Sequence, residues 1–132
     1  MPRLLKKTML LLLLSFTIIS TSIVGCSAEI PNTNSVYELY PTTNMYNFLK
    51  LNTSDGRITK VQYGINNDNA RFESTINSIP LVEASQAQNG RFKLYPTQNM
   101  YTFLLLDTIN GKTWQIQWSL EQENCGIVGE IK

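Results

Sequence analysis

Few side chains in this chain are equipped for chemistry. Its 132 residues hold ten Asp/Glu, two Cys and no His. The absence of histidine removes Ser-His-Asp and Cys-His catalysis, His-ligated zinc and a histidine pH switch. Two thiols are too few for a disulfide framework or a four-thiolate zinc site. No two carboxylates are spaced suggestively for glycoside hydrolysis, and no D-x-D-x-D run offers converging oxygens to calcium. Asp55 and Asp107 stand at turns, where aspartate caps backbone N–H groups. These counts point away from an enzyme and predict no catalytic residue, metal or cofactor.

What remains is aromatic and amide chemistry. Rings stack on sugar faces or on protein surfaces, and amides read hydroxyls and backbone. Trp114 and Trp118 alternate with Gln115 and Gln117, and Tyr95 and Tyr101 lie nearby in sequence. Those six residues, together with Tyr40 and Tyr46 of the first repeat, are the candidate binding residues. The same types at this spacing also build a β-strand core, which is the competing structural reading.

The elements that must position them come from a duplication. Residues 37–63 align without gaps on residues 92–118 at an offset of 55, and 13 of the 27 positions are identical. The register continues more weakly from 71–76 onto 126–131. Each repeat, about 36–76 and 91–131, reads as a four-stranded antiparallel meander. The expected strands are 37–40, 45–52, 57–65 and 71–76, with their counterparts 55 residues on. Pro41 and Pro96 stop the first strand, because proline cannot donate to a sheet ladder. Asp55-Gly56 and Asn110-Gly111 mark a hairpin between apolar runs. No helical period appears after residue 27, and polar residues 85–90 read as a surface connection.

Alternation assigns faces. Leu49, Leu51, Leu104 and Leu106 share one side of the second strand, with Phe48, Phe103 and Leu105 on the other. Both sides are apolar, so this strand is expected to be central and covered on both faces. The fold class that follows is all-β: two tandem meanders packed as a pseudo-twofold sandwich. The alternative is propeller-blade-like repeats that close into a ring by oligomerisation. Where the repeats differ, the second is the more apolar: Leu105 stands against Lys50 and Trp114 against Thr59. A binding site is accordingly expected in the second repeat.

The first residues are of another kind. Arg3, Lys6 and Lys7 precede an apolar run from Met9 to Ile19, followed by Ile23-Val24-Gly25-Cys26. A charged start, a short apolar core and a small residue form the layout of a secretory signal, and the run is short for a membrane span. The cysteine directly after Gly25 resembles the lipobox of bacterial lipoproteins. That resemblance implies cleavage before Cys26, acylation of its thiol and attachment to membrane lipid through the acyl chains. It divides the chain into a signal peptide (1–25), a lipidated cysteine with its tether (26–35) and the duplicated domain (36–132). With no Asp after the cysteine, it also implies an outer membrane anchor facing the periplasm in a host with two membranes.

Residues 1–25 carry three cations and no acid, so residues 26–132 hold eight Lys/Arg against ten Asp/Glu, a net charge of −2. That balance speaks against nucleic acid as a partner and leaves an envelope protein or a glycan. One further likeness lies in the second repeat. Asp107, Thr108, Gly111 and Trp114 resemble a D-T-x-x-G-x-x-W hairpin common in exported bacterial proteins. Its G-x-T-W end is similar to the Asp-box of β-propellers, although Ile109 stands where that motif has its aspartate. Neither likeness implies an activity.

Overall fold

The computed structural model describes residues 35–66 and 70–132. The signal-like segment, Cys26 and nearly all of the tether lie outside the described residues. Eight strands follow in order: β1 (Tyr37–Pro41), β2 (Asn47–Asn52), β3 (Ile58–Gln62), β4 (Phe72–Asn77), β5 (Phe92–Pro96), β6 (Thr102–Asp107), β7 (Thr113–Gln117) and β8 (Gly126–Ile131). They form two four-stranded antiparallel sheets, β1-β2-β3-β4 and β5-β6-β7-β8, packed together. The fold is the all-β pair of tandem meanders that the repeat predicts. Among the described residues the remaining regular structure is 3-10 turns, including Ala84–Gln86 and Gln122–Asn124.

The identities shared by the repeats build the same turns twice. Thr42 Oγ1 donates to the Asn47 carbonyl at 2.9 Å and accepts from Asn44 N–H, while Asn44 Oδ1 accepts from Tyr46 N–H at 2.9 Å. Thr97, Asn99, Tyr101 and Thr102 repeat the network at matching distances. A short polar side chain bonding backbone two residues on is what closes a turn here. The β2–β3 hairpin has a four-residue loop, closed by Asn52 N–H to the Arg57 carbonyl at 2.8 Å. Only its glycine takes positive φ (+83° at Gly56, +77° at Gly111), so Asp55 and Asn110 serve as side-chain acceptors instead.

Residues 85–89 are exposed, as the surface connection predicts, and the linker is also fastened to the first hairpin at its two ends. Leu81 N–H donates to the Asp55 carbonyl at 2.8 Å, and Gly90 N–H donates to Thr53 Oγ1 at 3.0 Å. Phe92 N–H then reaches the Thr53 carbonyl at 2.8 Å, carrying the start of the second repeat onto the hairpin of the first. The reason is accounting: these N–H groups meet two carbonyls and one hydroxyl of the hairpin loop.

The core lies between the sheets, and the two repeats contribute opposite faces to it. The first buries Leu49, Leu51, Ile58 and Ile76. The second buries Phe92, Leu94, Phe103, Leu105, Trp114, Ile116 and Trp118. By the offset of 55, the second set corresponds to Tyr37, Leu39, Phe48, Lys50, Thr59, Val61 and Tyr63. Those residues face away from the core: Tyr37 and Leu39 are 58% and 59% exposed where Phe92 and Leu94 are 0% and 3%. A twofold axis would bury the same face of both sheets. In this one respect the expected pseudo-twofold relation gives way to head-to-tail stacking of the kind that relates neighbouring blades. The expectation that β2 and β6 are covered on both faces is met on one face only within the described residues.

Candidate functional site

Trp114 and Trp118 do not present their rings. Both are buried, and the Trp118 indole N–H donates to the Met100 carbonyl at 2.9 Å, so its polar edge is satisfied inside the protein. Trp114 stacks obliquely on Phe92 with centroids 6.2 Å apart. The other candidates stay nearer water: Tyr95, Tyr101 and Gln117 are exposed, and Gln115 is half-buried. Tyr101 packs its ring against Trp118 at 5.8 Å. The structure therefore splits the six second-repeat candidates, placing two in the core and four on the surface.

The larger aromatic surface lies on the first sheet. Tyr46 and Tyr63 meet edge to face at 5.8 Å, and Phe48 lies 6.3 Å from Tyr63. Leu39 and Val61 continue this patch across β1 and β3, since Leu39, Phe48, Val61 and Tyr63 alternate onto one side. At its far end the face turns polar. Lys50 Nζ contacts both oxygens of Glu73 at 2.6 Å, and it sits 5.8 Å from the Tyr37 ring centroid. The hydrogen bond from Lys50 holds the Glu73 carboxyl below its ordinary pKa, with Thr59 adding a further donor. Beside them is an open hollow of about 260 Å3, with Arg57, Thr59 and Asn77 in its wall.

Of this surface only Tyr46 is among the candidates, yet the signal for the rest was in the sequence. Strand two of each repeat is apolar on both sides, while the partner sheet covers only one. One side of the first repeat had to face outwards, and the structure shows that it is the side with Tyr37, Leu39 and Phe48.

Polar groups inside the sandwich hold the sheets in place. Lys60 is buried and sends its Nζ across to the Ser119 carbonyl at 2.7 Å, just beyond β7. Arg91 and Asp107 form a buried pair, with Nη2 to Oδ2 at 2.7 Å and Nε to Oδ1 at 3.0 Å. Burial acts to raise the Asp107 pKa, but hydrogen bonds from Arg91 and from the N–H groups of Ile109 and Asn110 outweigh it. The net shift is downward. The first repeat has Val36 and Asn52 at these two places, so charge and counter-charge are absent together. Tyr40 is pushed up from its ordinary pKa, first by burial and then by its hydrogen bond to Glu38. Cys125 is half-buried, packs against the core and donates to the Ser119 carbonyl at 3.4 Å. Asn47 Oδ1 is buried without a hydrogen-bond partner among the described residues.

Lys50 with Glu73 and Arg91 with Asp107 are held as ion pairs, Lys60 is held by a backbone carbonyl, and Glu38 accepts from the Tyr40 hydroxyl. Among the described residues no three of Cys, Asp and Glu lie together as a metal site would need. No protein family, curated protein or solved structure matches this chain.

Proposed function

We propose that this chain is a lipid-anchored lipoprotein of the bacterial envelope whose β domain works by binding a protein partner, without catalysis. The anchor half of the reading rests on the Ile23-Val24-Gly25-Cys26 motif after its charged and apolar run. The binding half is carried by one observation: the outer face of the first sheet leaves Tyr37, Leu39 and the Tyr46–Tyr63 pair in contact with water. Scattered exposed apolar residues are ordinary, whereas a contiguous aromatic patch with a polar rim marks an interaction surface. In a host with two membranes, the residues after Cys26 favour the outer membrane and a periplasm-facing domain.

The test is affinity purification of the tagged chain from cross-linked native membranes, beside a Cys26→Ser version. The reading expects a stoichiometric protein partner with the native chain and loss of membrane association in the variant. Recovery without any partner chain, or unchanged membrane association of Cys26→Ser, overturns the corresponding half.

A further inference from the structure

The internal interface of this protein is built from two faces, and each has a second version left open on the outside. Inside, the Leu49/Leu51/Ile58 face of the first sheet meets the Phe92/Leu94/Phe103 face of the second. By the offset of 55, the outer face of the second sheet is the counterpart of the first of these. It carries Leu104 and Leu106 where the first sheet has Leu49 and Leu51, and Ile131 where it has Ile76. The outer face of the first sheet is the counterpart of the second, with Tyr37, Leu39 and Phe48 where the second sheet has Phe92, Leu94 and Phe103.

We propose that copies of this chain stack head to tail. The outer face of the first sheet in one copy covers the outer face of the second sheet in the next, reproducing the packing already present within each chain. A contact between two different patches of the same molecule is heterologous, and it closes into a ring when its rotation divides the circle. Sheets stacked this way close as rings of roughly four to eight blades, so two-sheet chains would make a ring of two to four copies. This inference rests on the reading of the domain as an interaction module and names its partner as a second copy; it does not depend on the lipid anchor.

Individual contacts carry over. Within the chain Tyr40 is half-buried and packs against the core that Leu94 belongs to. Tyr95 is the counterpart of Tyr40 and is 47% exposed; Leu39 is the counterpart of Leu94 and also stands open. Lys60 reaches the Ser119 carbonyl within the chain. Gln115 and Gly64 hold the matching positions, and a glutamine amide donates to a carbonyl as an ammonium does. The substitutions that distinguish the outer faces are polar ones: Lys50 for Leu105, Thr59 for Trp114, Gln115 for Lys60 and Thr113 for Ile58. An interface formed after folding must stay soluble beforehand, and a polar admixture of this kind separates such interfaces from protein interiors.

The experiment is native mass spectrometry of the full chain purified in detergent. It would be run at about 100 µM, above the dissociation constants of standard interfaces. The expected result is one discrete oligomer of two to four chains. Leu104→Asp places a charge on a central strand of one outer face and Leu39→Asp on the edge strand β1 of the other, and each alone should give a monomer with a native circular dichroism spectrum. Mixed, the two variants should form a 1:1 dimer and nothing larger, because each retains the face the other has lost. Tyr95→Asp replaces Leu104→Asp if the latter fails to fold.

A monomeric wild type overturns the proposal, and so does an open-ended ladder of sizes. A Leu104→Asp variant that still dimerises alone also overturns it, since that means the first-sheet faces meet about a twofold axis. If the wild type is monomeric while native membranes yield a different protein, the interaction reading stands and self-stacking fails. If neither occurs, both fall.

Discussion

Tyr63 and Trp118 hold the same place in their repeats. Each backbone N–H donates to the carbonyl of the tyrosine at the preceding turn, Tyr46 or Tyr101, and each ring lies 5.8 Å from that tyrosine's ring. Yet Tyr63 is 42% exposed and Trp118 is 1% exposed. The backbone role of a residue is thus set by its position within the repeat, and its burial by which neighbouring sheet it faces. The same division runs through Leu39 against Leu94 and Tyr37 against Phe92. In a stack of like sheets every sheet needs two covers, and the end sheets lack one each.

The largest expected effect breaks this pair apart. Trp118→Ala empties a packed site and loses the indole bond to Met100, at a cost of about 3–5 kcal/mol. For a domain near a hundred residues that lowers the melting temperature by roughly 15 °C or more. Tyr63→Ala, measured by urea denaturation at low protein concentration, should cost less than about 1 kcal/mol. Equal losses would contradict the head-to-tail assignment of faces.

The buried ion pair offers the next test. Asp107→Asn leaves the Arg91 guanidinium buried opposite a neutral amide, which costs about 3 kcal/mol. Adding Arg91→Val transplants the Val36 and Asn52 arrangement of the first repeat and should recover most of that loss in a double-mutant cycle. Strictly additive losses would show that the two repeats do not use these positions as interchangeable pairs.

The same variants sharpen the pH behaviour. The Asp107 pKa is depressed in the folded protein, so its contribution to stability is fully present above the unfolded value, near pH 4. It is lost as pH falls through the folded value. Wild type should therefore lose stability below about pH 4, and the Arg91→Val/Asp107→Asn protein should lose less over that window. Some acid slope remains in the double variant, because Glu73 is also depressed by Lys50. Chemical denaturation at pH 7, 4 and 3 reads the difference.

How much of this was legible in the residues follows from the physics of each signal. The strands were, because alternation and the Pro-Thr and Asp-Gly turn chemistry act locally; β2 and β6 differ from expectation by only two residues at their starts. The stacking sense was not, because a strand apolar on both faces fits a cover on either side. Leu105 and Trp114, set against Lys50 and Thr59, mark the face that the second repeat buries. The same contrast had suggested an exposed binding ribbon there. Of the candidate site, the surface amides and tyrosines were legible by type. The Trp rings follow the competing core reading, which the sequence could not separate from a ribbon because the two share one spacing.

The smallest effect, and the cleanest, separates backbone strain from packing at the two hairpin glycines. Gly56 and Gly111 both hold positive φ, so alanine at either should cost about 1–2 kcal/mol from the left-handed conformation alone. Their surroundings differ. A Cβ at Gly111 meets nothing within 4 Å, whereas one at Gly56 lies 2.9 Å from Leu81 Cδ1 and 3.3 Å from Phe92 Cε1. The Phe92 ring is fully buried and the Leu81 side chain belongs to the linker docked on this hairpin. Gly56→Ala should therefore cost about 1 kcal/mol more than Gly111→Ala, an overpacking term. In a Leu81→Ala background the nearer clash is gone and the two alanine costs should converge. If they stay apart, the strain at Gly56 comes from Phe92, and the sheet contact rather than the linker seats the first hairpin.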